Sequence, residues 1–275
     1  MKVTVLMEDT AVNESCIAEH GLSLFIEGQR HTYLLDTGAT EKTWENAHRL
    51  GIDPGKAEAI FLSHGHLDHS GGIVSFLEKH PGTKVYLQKT AGLDYVTPAQ
   101  EPGKMRYIGI DPSLPEREEM VWLDGSTKID DGVYILSGVT GRRCWPKGNL
   151  TLKIRRNGEI LQDTFDHEQS LVMEDDGQRF LFSGCAHYGI LNILDAFREQ
   201  FGGEPDYVFT GFHMMKKTPL NEEEKKDVLD TAEELMKTKT IFYSGHCTGE
   251  EAYDLLKEAM GERLFHMRSG LQLDL

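Results

Sequence analysis

The chain has 275 residues, of which 39% are hydrophobic and 27% charged, with no low-complexity tract and no Pro/Gly/Ser-rich linker. This composition predicts one globular domain over residues 1–275 and excludes a disordered chain. The net charge of −16 makes nucleic acid and anionic membrane surfaces unexpected partners. A small-molecule substrate is expected instead, and an anionic substrate would require bound metal cations that reverse the local potential. The oligomeric state stays open.

The start of the chain predicts a strand. Residues 1–9 alternate between apolar and polar side chains and reach acidic residues too early for a signal peptide. No run of about 18 apolar residues, the length that spans a membrane, occurs in the sequence. We therefore expect a cytoplasmic protein. Four cysteines are too few for a disulfide scaffold and are expected to be free thiols or metal ligands: Cys16, Cys144, Cys185 and Cys247.

In the first half of the chain, short apolar runs alternate with amphipathic stretches. Several of these runs end in a turn rich in Gly, Ser, His or Asp, and active-site residues gather at such strand ends. The patterns predict strands at residues 22–26, 33–35, 59–62 and 85–87 and helices at 42–50 and 73–79.

Residues 91–149 carry five prolines and no clear periodicity. Long irregular segments inside compact domains usually have a function or are disordered. We interpret this segment as an inserted lid or substrate loop.

The second half repeats the order of the first. Its strands are predicted at residues 171–173, 180–182, 207–209 and 241–243, and its helices at 190–201, 222–237 and 250–259. Two β/α halves of this kind predict two sheets packed face to face with helices outside. The expected fold class is therefore α/β, a four-layer αββα sandwich.

The run from Ser63 to Gly72 carries the strongest chemical signal. It places three imidazoles and a carboxylate within six positions, directly after a buried strand: His64, His66, Asp68 and His69. In a strand-to-helix turn, residues 64 and 66 can face one metal ion while residues 68 and 69 face another. The sequence thus predicts a metal centre, with two divalent ions close together.

This His-x-His-x-Asp-His motif and the earlier Asp36-Thr37-Gly38 resemble the metallo-β-lactamase superfamily. The resemblance implies the αββα fold and a dinuclear centre. It also implies that Asp36 orients the metal-binding turn without binding metal itself, as carboxylates behind metal-binding imidazoles do. Zinc is the expected metal, with manganese or iron as alternatives.

The resemblance places further ligands in the second half of the chain. Cys185 stands where a bridging aspartate is common in the superfamily; thiolate binds zinc well, but a buried inert thiol is the alternative. His187 and His167 compete for the third histidine position. His246 matches the fifth motif and is expected to bind metal, while its neighbour Cys247 is expected to point away.

Other residues near these strand ends are substrate-binding candidates: His167, His213, Lys216 and Thr248. His213 follows a strand of the same sheet and could be a ligand, a proton donor or a substrate contact. Basic residues could hold a substrate anion, although solvated surface charge is the commoner role of such residues: Arg142, Arg143, Lys147, Lys216 and Lys217.

A wider set of motifs, from Glu19-His20-Gly21 to Gly184-Cys185-Ala186-His187-Tyr188-Gly189 and His246-Cys247-Thr248-Gly249, resembles one branch of the superfamily. That branch contains metal-dependent hydrolase-like proteins related to the archaeal 7,8-dihydropterin-6-methyl-4-(β-D-ribofuranosyl)aminobenzene-5′-phosphate synthase. The resemblance extends from about residue 3 to 270.

The predicted activity is that of a metal-dependent hydrolase. Two closely spaced divalent ions lower the pKa of a shared water toward about 7, which yields hydroxide at neutral pH. Asp68 and His213 are the predicted catalytic residues: Asp68 would orient the hydroxide, and His213, His187 or a second water would protonate the leaving group. The expected substrate is a small, anionic phosphoester or related ester. The alternatives are a group-transfer enzyme acting on a pterin diphosphate and a ribosyl-aryl phosphate, and a non-catalytic metal-binding sensor.

Overall fold

The alternation of side chains along the strands builds a layered structure. The computed structural model describes residues 1–275. In the strand Ser23–Glu27, Leu24 and Ile26 pack into one apolar cluster, while Phe25 between them packs into another. Successive side chains of a strand point to opposite faces, so a strand with apolar residues at every position is covered on both sides.

Eighteen strands and six helices follow one another along the chain. The strands are β1 (Lys2–Met7), β2 (Ser23–Glu27), β3 (Thr32–Leu35), β4 (Ala59–Phe61), β5 (Lys84–Gln88), β6 (Asp94–Pro98), β7 (Met105–Tyr107), β8 (Met120–Leu123), β9 (Thr127–Asp130), β10 (Val133–Ser137), β11 (Lys153–Arg156), β12 (Glu159–Gln162), β13 (Gln169–Asp175), β14 (Gln178–Ser183), β15 (Tyr207–Thr210), β16 (Ile241–Ser244), β17 (Leu264–His266) and β18 (Gln272–Asp274). The helices are α1 (Lys42–Arg49), α2 (Leu67–Ser70), α3 (Ile73–Lys79), α4 (Ile190–Phe201), α5 (Glu222–Met236) and α6 (Glu250–Met260).

Two seven-stranded sheets form the centre of the molecule. Their strand orders are β18-β1-β2-β3-β4-β5-β8 and β17-β16-β15-β14-β13-β10-β9. One apolar cluster lies between the two sheets; α1 and α3 pack on the outer face of the first sheet, and α4, α5 and α6 pack on that of the second. The predicted four-layer αββα sandwich is confirmed. No helix is both long and apolar enough to cross a membrane.

Residues 91–149 are less irregular in the structure than the sequence predicted. Within it, β8 extends the first large sheet, while β9 and β10 extend the second. Only β6 and β7 lie outside the sandwich, where they join β11 and β12 in a four-stranded sheet. The prolines do not break the whole segment, because Pro98 ends a strand and Pro115 lies in a short 3₁₀ turn. The role of this region as a lid stays a prediction.

Parallel pairing brings the chemically important turns to one edge. The strands β3, β4 and β5 are parallel to one another, and so are β14, β15 and β16. The carboxyl ends of parallel strands lie at the same edge of a sheet. The turns that leave these ends carry Asp36 and His64 in the first sheet, and Cys185, His213 and His246 in the second.

Candidate metal centre

The turn after β4 gathers three imidazoles and a carboxylate. The ring centroid of His64 lies 4.6 Å from that of His66 and 4.1 Å from that of His69. The Asp68 carboxylate lies 3.5 Å from Nε2 of His69. All three histidines are buried, whereas the Asp68 side chain is 26% exposed. Asp68 is therefore the member of this turn that solvent reaches.

The second sheet adds a thiol and two imidazoles. The ring centroid of His187 lies 4.7 Å from that of His64, and the centroid of His246 lies 5.0 Å from that of His69. Between these pairs, Sγ of Cys185 lies 3.2 Å from Nε2 of His69. The Cys185 sulfur also lies within 4.8 Å of ligand atoms of both pairs. It thus occupies the middle of the cluster.

Four imidazole nitrogens in this cluster are buried and have no hydrogen-bond partner. They are the Nε2 atoms of His64, His66, His187 and His246. Buried polar atoms in proteins are nearly always paired, so four unpaired nitrogen atoms in one place call for an explanation. Imidazole nitrogen, thiolate sulfur and carboxylate oxygen are the atoms that bind zinc and similar cations. The residues present therefore fit divalent metal ions.

Partners behind two of these rings fix the free nitrogen. Nδ1 of His246 lies 2.7 Å from Oδ1 of Asp9, and Nδ1 of His187 lies 2.8 Å from Oδ1 of Asn149. Because both partners are acceptors, the neutral rings carry their proton on Nδ1 and keep the lone pair on Nε2. Asp9 and Asn149 were not predicted as site residues, because no local motif connects them to these histidines.

Asp36 ties the turn after β4 together. Its carboxylate accepts hydrogen bonds from the Ser63 backbone N–H and hydroxyl, both at 2.7 Å, and from Nδ1 of His69 at 2.6 Å. The Ser63 hydroxyl oxygen also lies 2.9 Å from Nδ1 of His64. Asp36 is fully buried and has a positive φ of 57°. It orients two imidazoles and does not face the middle of the cluster.

Glu168 holds the turn after β14 in a similar way. Its two carboxylate oxygens accept hydrogen bonds from the backbone N–H groups of His187 and Tyr188, at 2.5 and 2.9 Å. Ala186, between Cys185 and His187, has a positive φ of 52°. The turn therefore adopts an uncommon backbone conformation that a buried carboxylate stabilises. This turn presents both Cys185 and His187 to the cluster.

The pKa shifts differ between the end of the cluster formed by His64 and His187 and the end formed by His246. Burial and the neighbouring imidazoles hold the pKa of His64 and His187 well below the ordinary value. Burial acts in the same direction on His246, but the neighbouring carboxylates of Asp68 and Asp9 raise its pKa well above the ordinary value. Burial also raises the pKa of the Cys185 thiol. A cation must therefore displace protons to bind His246 or Cys185, whereas His64 and His187 are neutral at pH 7.

Both ring nitrogens of His167 make hydrogen bonds within the protein. Its Nδ1 accepts a hydrogen bond from the Gly65 backbone N–H at 2.9 Å, so the neutral ring carries its proton on Nε2. The Nε2–H group donates a hydrogen bond to Oδ2 of Asp163 at 3.1 Å. The side chain is fully buried. His167 thus supports the turn after β4, and it also lies within 4.8 Å of ligand atoms of His66 and Asp163. Its roles as a metal ligand or a substrate contact stay predictions.

Two other substrate-binding candidates, Thr248 and Lys216, pair with groups of the protein, and their role as substrate contacts stays a prediction. The Thr248 hydroxyl accepts a hydrogen bond from the Phe212 backbone N–H at 2.9 Å and lies 2.7 Å from the Ser244 hydroxyl, so it joins two strand ends. The Lys216 ammonium lies 2.8 Å from both carboxylate oxygens of Glu224. Its charge is therefore already neutralised by an ion pair.

His213 and Cys247 lie beside the cluster. The ring centroid of His213 lies 4.2 Å from that of His187, and its Nδ1 is buried without a partner. The Cys247 sulfur lies within 4.8 Å of ligand atoms of both Cys185 and His213. The expectation that Cys247 points away is therefore wrong. The structure leaves all three predicted roles of His213 open.

His20 was missed as a site residue, although its Glu19-His20-Gly21 motif was noted. Its Nδ1 lies 2.7 Å from Oδ2 of Asp9, and its Nε2 lies 3.5 Å from Oδ2 of Asp68. The ring packs on His246 with centroids 4.7 Å apart, and the side chain is half exposed. His20 thus lies at the solvent-facing side of the cluster, next to Asp68.

Comparison with known proteins identifies the family. A family model described as the metallo-beta-lactamase superfamily matches residues 17–246. The chain belongs to the metallo-β-lactamase superfamily. The resemblance drawn from the His64 to His69 motif is therefore confirmed.

Three similar members of the superfamily extend over nearly the whole chain. The 7,8-dihydropterin-6-methyl-4-(beta-D-ribofuranosyl)-aminobenzene-5'-phosphate synthase of Methanocaldococcus jannaschii is 26% identical, and the match covers 98% of this chain and 95% of that protein. MJ0448 from the same organism, described as uncharacterized, is also 26% identical over 93% of this chain and 94% of its own. The crystal structure of Tm1679, described as a metal-dependent hydrolase of the beta-lactamase superfamily, is 29% identical with a TM-score of 0.82, over 100% of this chain and 99% of its own.

Proposed function

We propose that this protein is a hydrolase that uses two divalent metal ions to cleave a small, anionic ester, such as a phosphoester. The observation that carries the proposal is the set of four buried, unpaired Nε2 atoms in the cluster. Three of these histidines, His64, His187 and His246, have ligand atoms within 4.8 Å of the Cys185 sulfur. The description of Tm1679 as a metal-dependent hydrolase supports the reaction class. Zinc is the proposed metal, with manganese or iron as alternatives.

The proposed ligands form two groups, one for each metal ion. Cys185 lies between the two groups and could contact both ions. Bound divalent ions would lower the pKa of water toward about 7 and polarise the bond under attack. We assign one ion to His64, His66 and His187, and the other to Asp68, His69 and His246.

The chain's own residues supply orientation and proton transfer. Burial alone would raise the pKa of Asp68, but the neighbouring imidazoles hold it well below the ordinary value. A carboxylate that stays ionised and is partly exposed can accept a hydrogen bond from an attacking water and so orient it. We assign proton donation to the leaving group to His213, because its ring packs on His187 and its Nδ1 has no partner in the protein.

Hydrolysis is tested with Asp68→Asn, measured against the matched control Asp176→Asn in an exposed turn. A screen of phosphodiesters, thioesters and lactones should reveal a metal-dependent activity in the wild-type protein. Loss of the carboxylate should lower kcat by about 100-fold or more, because positioned acid-base groups contribute roughly 10²–10⁴-fold, and the control should retain full activity. Equal kcat values in Asp68→Asn and in the wild type would refute the assignment.

Group transfer is the second candidate, because a relative that matches 98% of this chain is named as a synthase. In that case, a pterin diphosphate would release diphosphate only when a ribosyl-aryl phosphate acceptor is added. Hydrolysis of simple phosphodiesters without an acceptor would instead support the hydrolase. A protein that binds metal but fails in both assays would favour the sensor alternative.

A further inference from the structure

A cavity of about 580 Å³ opens beside the candidate metal centre. Cavities of roughly 300–1,000 Å³ are the usual size for small organic ligands. His213 lines this cavity, and its ring packs against that of His187 with centroids 4.2 Å apart. A ligand that extends from the metal centre past His213 would therefore enter the cavity.

Part of the lining is apolar. It includes the side chains of Leu152, Met214, Leu220 and Val228, which come from three different parts of the chain. Apolar side chains bind the apolar body of a ligand because contact with it removes surface from water, and methionine adapts its shape to ring systems. The body of a ligand in this cavity can therefore be a ring-sized apolar group.

The charged part of the lining is positive. Three lysines line the cavity, Lys147, Lys216 and Lys217, whereas only two carboxylates do, those of Glu224 and Asp227. The lining thus has one positive charge in excess, although the whole chain carries a net charge of −16. A local positive charge in an acidic protein attracts an anionic group to that place and not to the rest of the surface.

Two of the three lysines already have partners. The Lys216 ammonium lies 2.8 Å from Glu224, and the Lys147 ammonium lies 2.8 Å from Asp227 and 2.9 Å from Glu223. Glu223 does not line the cavity, and its side chain is 79% exposed, so water and salt screen its charge. The excess positive charge is therefore on the third lysine.

Lys217 is the lining lysine without an ion pair, and it is exposed to solvent. It follows His213 by four residues on the same segment of the lining. Four residues span at most about 14 Å when fully extended, so the Cα atoms of His213 and Lys217 cannot be farther apart than this. One ligand of moderate size can therefore contact His213 with one end and Lys217 with the other.

We propose that the cavity binds a part of the substrate in which an apolar body carries a carboxylate, and that this carboxylate pairs with the Lys217 ammonium. The inference rests on the proposed function: the ester under attack lies at the metal ions, and the group attached to it extends past His213 into the cavity. One free ammonium matches the single charge of a carboxylate better than a phosphate monoester, which carries nearly two charges at pH 7. The substrate class is then an ester with a second, remote anionic group, and Lys217 determines the preference for it.

The cavity can be tested separately from catalysis with two probes of the same shape. Calorimetry of the metal-loaded protein at low salt should show that 2-naphthoate, which carries a carboxylate, binds more tightly than the uncharged 2-naphthamide. Lys217→Gln should weaken the binding of 2-naphthoate by about three- to fivefold, the upper part of the range for an exposed ion pair. Lys217→Arg keeps the positive charge and should retain the affinity.

The matched control is Lys239→Gln, because Lys239 is exposed, has no ion pair and lies outside the cavity. It should leave the affinity for both probes unchanged. The affinity for 2-naphthamide should not respond to Lys217→Gln. A carboxylate that bound the metal ions instead would be insensitive to Lys217→Gln, and that result would overturn the proposal.

Substrate preference is the second arm of the test. Of two methyl phosphodiesters, the one with a 6-carboxy-2-naphthyl leaving group should have a lower KM than the one with a 2-naphthyl leaving group, and Lys217→Gln should remove this difference. Equal KM values in the wild-type protein, or naphthoate binding no tighter than naphthamide binding, overturn the cavity proposal even if hydrolysis is observed. Naphthoate binding that depends on Lys217, without hydrolysis of any ester, overturns the proposed function but leaves the ligand preference of the cavity in place.

Discussion

Replacing Asn149 with alanine tests whether His187 is held as a metal ligand. Asn149 is fully buried, and its side chain makes two hydrogen bonds to one residue. Nδ2 donates to the His187 carbonyl oxygen at 2.7 Å, and Oδ1 accepts from His187 Nδ1 at 2.8 Å. The substitution therefore removes both of these hydrogen bonds of His187 and does not touch the Nε2 atom that faces the cluster.

The expected losses of stability and of metal affinity follow from these two hydrogen bonds. Each buried group left without a partner costs about 1–3 kcal/mol, so the free energy of unfolding should fall by about 2–6 kcal/mol. Loss of the residue that orients a metal-binding imidazole usually lowers metal affinity by about 10–100-fold. Asn149→Asp keeps the acceptor for Nδ1 and loses the donor to the carbonyl. It should lose stability but retain most of the metal affinity.

The assay is a competition between the protein and a chromophoric chelator, run beside thermal melts with and without a strong chelator. Asn13→Ala is the matched control, because the Asn13 side chain bonds only to the exposed Ser15. It should leave the metal affinity unchanged. The reasoning is refuted if Asn149→Ala loses stability while its metal affinity stays within twofold of the wild-type value. Asn149 would then only hold the loop, and His187 would not be a ligand.

Three further outcomes are expected. If the Cys185 sulfur binds metal, cobalt substitution should give a thiolate charge-transfer absorption band that disappears in Cys185→Ser; an unchanged spectrum would identify a packed, inert thiol. Because the pKa of His246 is raised while those of His64 and His187 are lowered, protons compete most strongly at the His246 end. Titration from about pH 8 to about pH 6 should therefore release one metal ion before the other, and simultaneous release would contradict this order. If part of residues 91–149 acts as a lid, limited proteolysis of the metal-bound protein should cut there first and slow when a ligand is added; equal rates would exclude the lid.

The fold could be predicted where a short stretch of sequence carries a complete signal. The pattern at residues 190–201 predicted a helix, and α4 has these bounds, because its apolar residues recur with the helical period on a buried face. The strands β8, β9 and β10 were missed. Each has only four or five residues, too short for a clear period. β8 and β10 are stabilised by pairing with β5 and β13, which lie outside residues 91–149, and β9 pairs with β10.

The candidate site could likewise be predicted only where its residues lie close together in the sequence. His64, His66, Asp68 and His69 lie in one turn, so their spacing alone indicated a metal centre. The residues that orient the predicted ligands lie far from them in sequence. Asp9 meets His246 across 237 positions, and Asn149 and Asp163 follow no motif. Only the pairing of the strands brings such groups together. The competition between His167 and His187 likewise depended on hydrogen bonds that spacing does not specify.

Metal content is the most direct test of the central claim that this cluster holds two divalent ions. Elemental analysis of protein purified without added metal should give about two ions per chain for the wild type and for the control His48→Ala, on an exposed face of α1. The double variant His64→Ala/His66→Ala should lose at least one of the two. Chelation should also lower the melting temperature of the wild type, because ions that bind only the folded chain stabilise it. A wild-type protein that holds no metal at any stage, or a double variant with unchanged content, would contradict the account.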